Sequence, residues 1–350
     1  VLADHVEEVR LVDHHVHGWF TEPGDRDAFE AALNEGSTGP VPPGRSGFDL
    51  PLGVALRHWC APLLGLPRHA SPDDYWEARA ATPYDELVRT FVEAAGVDHW
   101  LVDTGLTPAL VTDPEPRSEV LRLELLMEEV LGERDVVGAF RERLDATDAV
   151  AAKTIAAYRC GLDIDWSRPS ARAVAGRARA SGGRVEDPVL VAFGVHEAAA
   201  RGLPLQVHTG LGDRDLDLRR ADPLHLRPLL EAVDIPVLLL HCYPFHRHAG
   251  YLAQAYDHVY VDVGLAINHL GARSVELVAE AMELAPFDKQ LYSSDAYGLP
   301  ELHFLGAQQW RWAMGQVLGG WVRRGHWSEH DAIRVVDMVA GDNARRVYEL

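Results

Sequence analysis

Short apolar runs alternate with longer stretches whose apolar residues recur at helical spacing along the whole chain. The runs Arg10–His17, His99–Gly105, Val120–Glu124, Ala149–Ile155, Leu203–His208, Val237–His241, Val259–Val263 and Gln290–Ser294 predict strands. Amphipathic stretches such as Pro188–Arg201, Pro223–Val233 and Ser274–Leu284 predict the helices between them. The first two of these begin with an Asp before a Pro, an N-cap followed by a first-turn residue that needs no N–H partner. Strands and helices in this alternation predict an α/β fold, and eight units predict a closed parallel (β/α)8 TIM barrel. An open doubly wound sheet is the competitor. Its dinucleotide-binding form loses support because no GxGxxG opens a helix after a strand.

One segment interrupts the alternation. Residues 19–87 are too many for a simple strand-to-helix connection, and they pass from a Gly- and Pro-rich opening (Gly36 to Pro51) into helical patterns. They predict a helical insertion after the first strand, acting either as a cover for the barrel mouth or as a packing element. Near the end, Ser328-Glu-His-Asp331 has the form of a capping box, and Asn343–Tyr348 predicts a last short helix.

Composition narrows the function classes. With 350 residues and 47% hydrophobic content, one barrel of about 250 residues plus insertions uses the whole of 1–350 as a single domain. A net charge of −20 argues against nucleic acid or an anionic membrane as a partner. A small-molecule substrate is expected instead, and a homo-oligomer is compatible. Cys60, Cys160 and Cys242 form no CxxC pattern, so neither a disulfide framework nor a zinc ribbon is indicated and a cytoplasmic setting is expected. No apolar run reaches membrane-spanning length. Asp4, Glu7 and Glu8 stand where a signal peptide would be basic. Trp310, Trp312, Trp321 and Trp327 are read as core before interface.

Chemistry concentrates at the predicted strand ends, which in a parallel barrel open on one face. Asp13, His15 and His17 alternate on the first strand and are expected to share a face, with His14 on the other. His15 and His17 offer two imidazoles to a divalent metal, and His208, at the end of the fifth strand, offers a third. His241 ends a run of four apolar residues and is read as a second ligand or as a group acting on the substrate. Asp295, at the end of the eighth strand, could ligate the metal and take a proton from water. Lys153 lies in an apolar run, where burial would depress its pKa. It could be carboxylated and bridge two metals, or bind a substrate carboxylate, and Arg159 is a second candidate for that acidic group. Asp103, Glu124 and Arg122 are weaker candidates, the last two as an ion pair inside the barrel. His246 and His248 are assigned mainly to the surface. Asp295 and His241 are thus the catalytic candidates: Asp295 to orient and deprotonate water, and His241 to stabilise a developing oxyanion.

This ordered set, Asp13-x-His15-x-His17, His208, His241 and Asp295, resembles the amidohydrolase superfamily. The closing Asn343-Ala-Arg-Arg-Val-Tyr348 is similar to that family's last helix. Lys153-Thr-Ile-Ala-Ala-Tyr-Arg159-Cys-Gly-Leu and Leu121-Arg-Leu-Glu124 resemble the amidohydrolase 2 branch, which includes a domain fused to glutamine-synthetase-like proteins. The resemblance implies a distorted (β/α)8 barrel holding one or two divalent metals, zinc first, with manganese or iron as alternatives. It also implies His15, His17, His208 and Asp295 as the ligands of a single ion. Two ions would require a carboxylated Lys153. The expected activity is hydrolysis of an amide, lactone or ester of a small acidic substrate. A non-oxidative decarboxylase and a uronate-type isomerase are the alternatives on the same barrel, and a scaffold with a structural metal is the non-enzymatic one.

Overall fold

The structure, a computed structural model, describes residues 1–37, 39–107 and 109–350. Thr38, inside the predicted insertion, lies outside them. Seven parallel strands form one sheet in chain order: β1 (Leu11–Val16), β2 (Val97–Asp103), β3 (Arg117–Arg122), β4 (Ala151–Thr154), β5 (Leu205–Thr209), β6 (Val237–His241) and β7 (Val259–Val261). Residues 290–296 fill the eighth position. Val261 bridges Gln290 in parallel, and the Leu291 N–H donates to the Val261 carbonyl at 3.0 Å. On the other side the His14 N–H donates to the Tyr292 carbonyl at 3.2 Å and the His17 N–H to the Ala296 carbonyl at 3.0 Å. These bonds join β7 to β1 through the eighth segment, and the result is a distorted (β/α)8 barrel.

The eighth segment lies where a strand was predicted but lacks a regular ladder, for a local reason. The Asp13 carboxylate takes the Ser294 N–H at 3.0 Å and its hydroxyl at 2.5 Å. Asp295 then turns into the left-handed region, with φ 50°. Backbone groups that a ladder would use are diverted to side chains. β1 is irregular too. Its register with β2 shifts between Asp13 and Val16, so strict alternation is lost there. His14 is therefore not set apart on a far face: His14 and His15 both reach the side chains of Gln206 and Tyr348, directly or in one step.

After β3 the chain enters helix Leu123–Val130 at once. Leu123, Leu126, Met127 and Val130 are buried at helical spacing, which places Glu124 in the first turn of that helix and not at a strand end. The predicted caps are present. Asp187 accepts the Val189 N–H at 2.9 Å, and Ser328 accepts the Asp331 N–H at 3.0 Å. The barrel floor is apolar: Val12, Leu101, Val120, Ala151, Leu238 and Leu291 meet Ala344, Val347 and Tyr348 of helix Asn343–Tyr348.

Within residues 19–87 the helices Arg26–Ala31, Pro51–Trp59 and Pro72–Ala81 pack together and onto the long helix Pro300–Arg323. Their anchor is a buried ion pair, Arg79 Nε to Glu301 Oε1 at 2.5 Å, with the guanidinium 4.5 Å above the Phe29 ring. Trp310 is buried against Tyr292, and Trp321 packs on Trp327, in agreement with a core role. Among the described residues no helix is long and apolar enough to cross a membrane.

Candidate metal centre

The C-terminal ends of the strands converge, and nearly every one contributes a polar side chain. β1 delivers His15, and His17 just beyond it. Gly18 follows with φ 95°, and a Cβ there would stand 2.1 Å from the Val111 carbonyl oxygen, so glycine is what lets the chain leave at this point. Asp103 ends β2, Arg122 ends β3, Lys153 lies one residue from the end of β4, His208 sits near the end of β5 and His241 ends β6. Asp262 follows β7, and Asp295 comes from the eighth segment.

Three of these side chains form a tight group. His15 Nε2 lies 3.1 Å and His17 Nε2 3.3 Å from Asp295 Oδ1, and the three donor atoms are all within 4.8 Å of one another. The tautomers follow from the far side of each ring. His15 Nδ1 faces Gln206 Oε1 at 2.8 Å, and His17 Nδ1 faces the Asp103 carbonyl at 3.2 Å. Both partners are acceptors, so each Nδ1 carries the proton and each Nε2 presents a lone pair to the centre. Asp295 Oδ1 and the buried His208 Nε2 have no hydrogen-bond partner among the described residues. A divalent ion fits this donor set: two lone pairs and a carboxylate oxygen converge, and His208 Nε2, outside that group of three, is unsatisfied.

His208 and His241 complete the wall. Their ring centroids lie 4.7 Å apart, and Tyr158 packs on His208 at 4.6 Å. Gly212 presses the loop after β5 against them. A Cβ there would meet the Tyr158 hydroxyl at 2.1 Å and His208 Nε2 at 3.2 Å. His241 Nε2 is 3.6 Å from Asp295 Oδ2. The backbone of His241 is left-handed, with φ 68°, a conformation that costs a non-glycine residue energy and occurs mostly at functional sites.

Lys153 is buried with its Nζ 2.7 Å from His15 Nε2 and 3.5 Å from Asp103 Oδ2. Asp103 also holds Arg122, whose NH2 lies 2.6 Å from Oδ2. The predicted partner of Arg122 was Glu124, which instead accepts from the Thr154 hydroxyl at 2.5 Å and the Ile155 N–H at 3.1 Å. Arg159 stands apart from this cluster: its guanidinium bonds Glu128 at 2.7 Å and the Val185 carbonyl at 3.2 Å. His248 is exposed and bonds Asp222, while the buried His246 bonds Glu280 at 2.8 Å.

Electrostatics ready the centre for a cation. Burial, and then the Lys153 charge, push His15 down to about 3. Burial, and then His241, push His208 well below its ordinary range. These imidazoles are neutral at pH 7, as metal ligands must be. Burial alone would raise Asp295, but the imidazoles around it, His241 first and then His15 and His17, hold it well below the usual carboxylate range. Burial lowers Lys153, with Asp103 pulling the other way.

Several residues of the site carry no sequence motif. Gln206 sits in an apolar strand and differs from its neighbours there only in being polar. Glu35, within residues 19–87, is pushed up to about 8 by burial first, then by Asp295 and Asp213.

The sequence pattern of the family described as amidohydrolase (Amidohydro_2) matches residues 132–350. Protein fluG of Emericella nidulans is 29% identical over 298 residues, covering 79% of this chain and 33% of that protein. The chain thus spans about a third of the length of this curated relative. A protein of Lactobacillus casei assigned as a metal-dependent hydrolase superposes with a TM-score of 0.85 at 24% identity, over 99% of this chain and 97% of that one. A uronate isomerase of Bacillus halodurans superposes with a TM-score of 0.69 at 15% identity, over 99% and 95% of the two chains.

Proposed function

The chain belongs to the amidohydrolase family, and from that premise we propose that it is a metal-dependent hydrolase acting on an amide, lactone or ester bond of a small acidic substrate. The observation that carries the reading is the convergence of the His15, His17 and Asp295 donor atoms within 4.8 Å of one another. An imidazole-rich set with one carboxylate favours zinc, with manganese or iron as alternatives. A divalent ion bound there would lower the pKa of water to near neutrality and polarise a carbonyl.

The side chains of the chain do the rest. Asp295 is ionised, and its Oδ2 faces His241, so it orients water and accepts its proton. His241 turns its Nε2 towards the centre, 3.6 Å from Asp295 Oδ2, and from there donates to oxygen charge developing on the substrate. Lys153 is the cation nearest the ligand atoms and is assigned the substrate's acidic group. Arg159, occupied by Glu128, is a weaker partner for that group.

A second reading rests on Lys153 itself. A buried lysine of lowered pKa, 2.7 Å from His15 Nε2, is placed to be carboxylated and to share a second ion. One ion is the simpler assignment, since Lys153 then remains for the substrate.

The test is turnover in 18O-labelled water. The metal-loaded protein is given a panel of amides, lactones and esters of small carboxylic acids, with uronates and aromatic carboxylates alongside. Label entering an acid product supports hydrolysis. CO2 release without label, or interconversion of uronates, replaces it with the lyase or isomerase reading.

A further inference from the structure

Beneath the metal centre lies a chain of buried polar groups that neither the ligand set nor the proposed chemistry uses. We propose that Tyr348 is a positioning residue for this centre, the middle of a hydrogen-bond chain that sets the ligand nitrogen of His15 at one end and the backbone of His241 at the other. The proposal rests on the metal-centre reading given above.

The direction of every bond in the chain can be assigned. One end of the Gln206 amide lies 2.7 Å from the His14 carbonyl oxygen, which only accepts, so that end is the NH2 group. Its second proton points to the Tyr348 hydroxyl oxygen at 2.8 Å. The amide oxygen is then the atom that accepts from His15 Nδ1 at 2.8 Å. Having accepted from Gln206, the Tyr348 hydroxyl gives its own proton to His14 Nδ1 at 3.0 Å. His14 Nε2 in turn donates to Asp262 Oδ2 at 2.8 Å. The other Asp262 oxygen accepts the N–H of His241 at 2.8 Å and that of Gly264 at 2.8 Å. His241 is the strand-end residue with φ 68°, and the bond from its N–H to Asp262 is what holds that conformation in place.

Two functional histidines, at the ends of β1 and β6 with ring centroids 5.6 Å apart, are therefore tied to one phenol. Without the Tyr348 hydroxyl, the Gln206 NH2 group keeps one partner, the His14 carbonyl, and the amide is held less firmly against turning. An amide turned round presents NH2 to His15 Nδ1, which removes the acceptor for that proton and favours Nε2–H, where a metal needs a lone pair, with the Lys153 Nζ 2.7 Å from Nε2 as the one opposing donor. His14 loses one of its two ring partners at the same time. Tyr348 stands on helix Asn343–Tyr348, which also closes the apolar floor, so the helix that plugs the barrel orients the centre as well.

The experiment compares wild type with Tyr348→Phe, which removes the hydroxyl and keeps the ring, and with Gln206→Met. Three quantities are read on metal-free protein: Zn2+ affinity by competition with a chromophoric chelator, the tautomer of His15 by ring 15N shifts, and the melting temperature. The expected result is a 10- to 100-fold loss of Zn2+ affinity in each variant, the size usual for outer partners of metal ligands. His15 should shift from pure Nδ1–H to a tautomer mixture, and the double variant should be little worse than either single one. Affinity within twofold of wild type in both variants overturns the proposal, and so does a lowered melting temperature with unchanged affinity, which would make Tyr348 a packing residue. Should Tyr348→Phe not fold, Gln206→Met decides by the same criteria. If wild type takes up no ion, the metal reading has failed on its own. The His15 tautomer then still decides the chain: a shift in Tyr348→Phe supports it, and no shift overturns it.

Discussion

Asp103 shows how single residues are held in this barrel. It is fully buried, yet it touches two cations: Arg122 NH2 at 2.6 Å and Lys153 Nζ at 3.5 Å. Burial would raise its pKa, but Arg122, then Lys153, hold it well below the usual carboxylate range. Removing one member of such a pair leaves a buried charge without its strongest partner. Arg122→Met should therefore cost about 3 kcal/mol, the low end of the usual range because Lys153 remains. The pH dependence has a definite sign. A carboxyl depressed in the folded state contributes stability above its unfolded pKa of about 3.9 and loses it as pH falls below that value. The stability gap between wild type and Arg122→Met should be full at pH 7 and narrow under acid conditions, as read by urea unfolding at several pH values. A constant gap across that range would assign the loss to packing instead.

At the scale of elements, a buried ion pair ties residues 19–87 to the long helix Pro300–Arg323. The ion pair of Arg79 with Glu301 is buried, with side-chain exposures of 1% and 0%, and it pins helix Pro72–Ala81 to helix Pro300–Arg323. Arg79→Met should destabilise the protein by about 3–5 kcal/mol, since it strands Glu301, and should open residues 19–87 to limited proteolysis before the barrel. Glu35 reports on the same docking. Its carboxyl is raised to about 8 by burial and by Asp295 and Asp213, so the folded state binds a proton that the unfolded state, with a pKa of about 4.3, has released. Stability from this group is complete below that value and is lost as pH rises towards 8. In chelator-treated protein, Glu35→Gln should melt with wild type at pH 4 and above it at pH 8.5. Parallel melting curves would mean that Glu35 is not held against the centre.

These elements also show what the residue pattern could reveal. β4, β5 and β6 announce themselves as runs buried on both faces, and the polar residues at or near their ends, Lys153, His208 and His241, stand out for that reason. Arg117 to Glu119 begin β3 with polar residues, so the start of that strand was hidden. Glu124 followed an apolar run but had already entered a helix. In the eighth segment the departure from a ladder comes from Asp13 bonding Ser294, a contact between residues 281 positions apart that no local pattern encodes. Gln206, Asp262 and Tyr348 were silent for the same reason: each is an ordinary residue type, and its role exists only through partners brought by other strands.

On the scale of the whole molecule, Lys153 decides how many ions the proposed centre holds. The Lys153 ammonium lies 2.7 Å from His15 Nε2, the lone pair that an ion requires. If one ion binds, lysine and ion compete for that nitrogen, and the lysine must turn away when the ion arrives. Lys153→Ala should then hold about as much metal as wild type, with equal or tighter affinity, while losing turnover of the acidic substrate. If two ions bind, a carboxylated Lys153 is itself a ligand, and the variant should hold half the metal. The stability change separates the cases as well, because an ion that binds the folded chain alone raises its stability by about 2.7 kcal/mol at a free concentration 100 times its dissociation constant. Chelator treatment should lower the melting temperature of wild type in either case. In Lys153→Ala that drop should persist in full under the one-ion assignment and shrink under the two-ion assignment. Elemental analysis of both proteins, with melting curves before and after chelation, distinguishes them. A wild type that holds no metal and melts unchanged with chelator would remove the ion from the account of this barrel altogether.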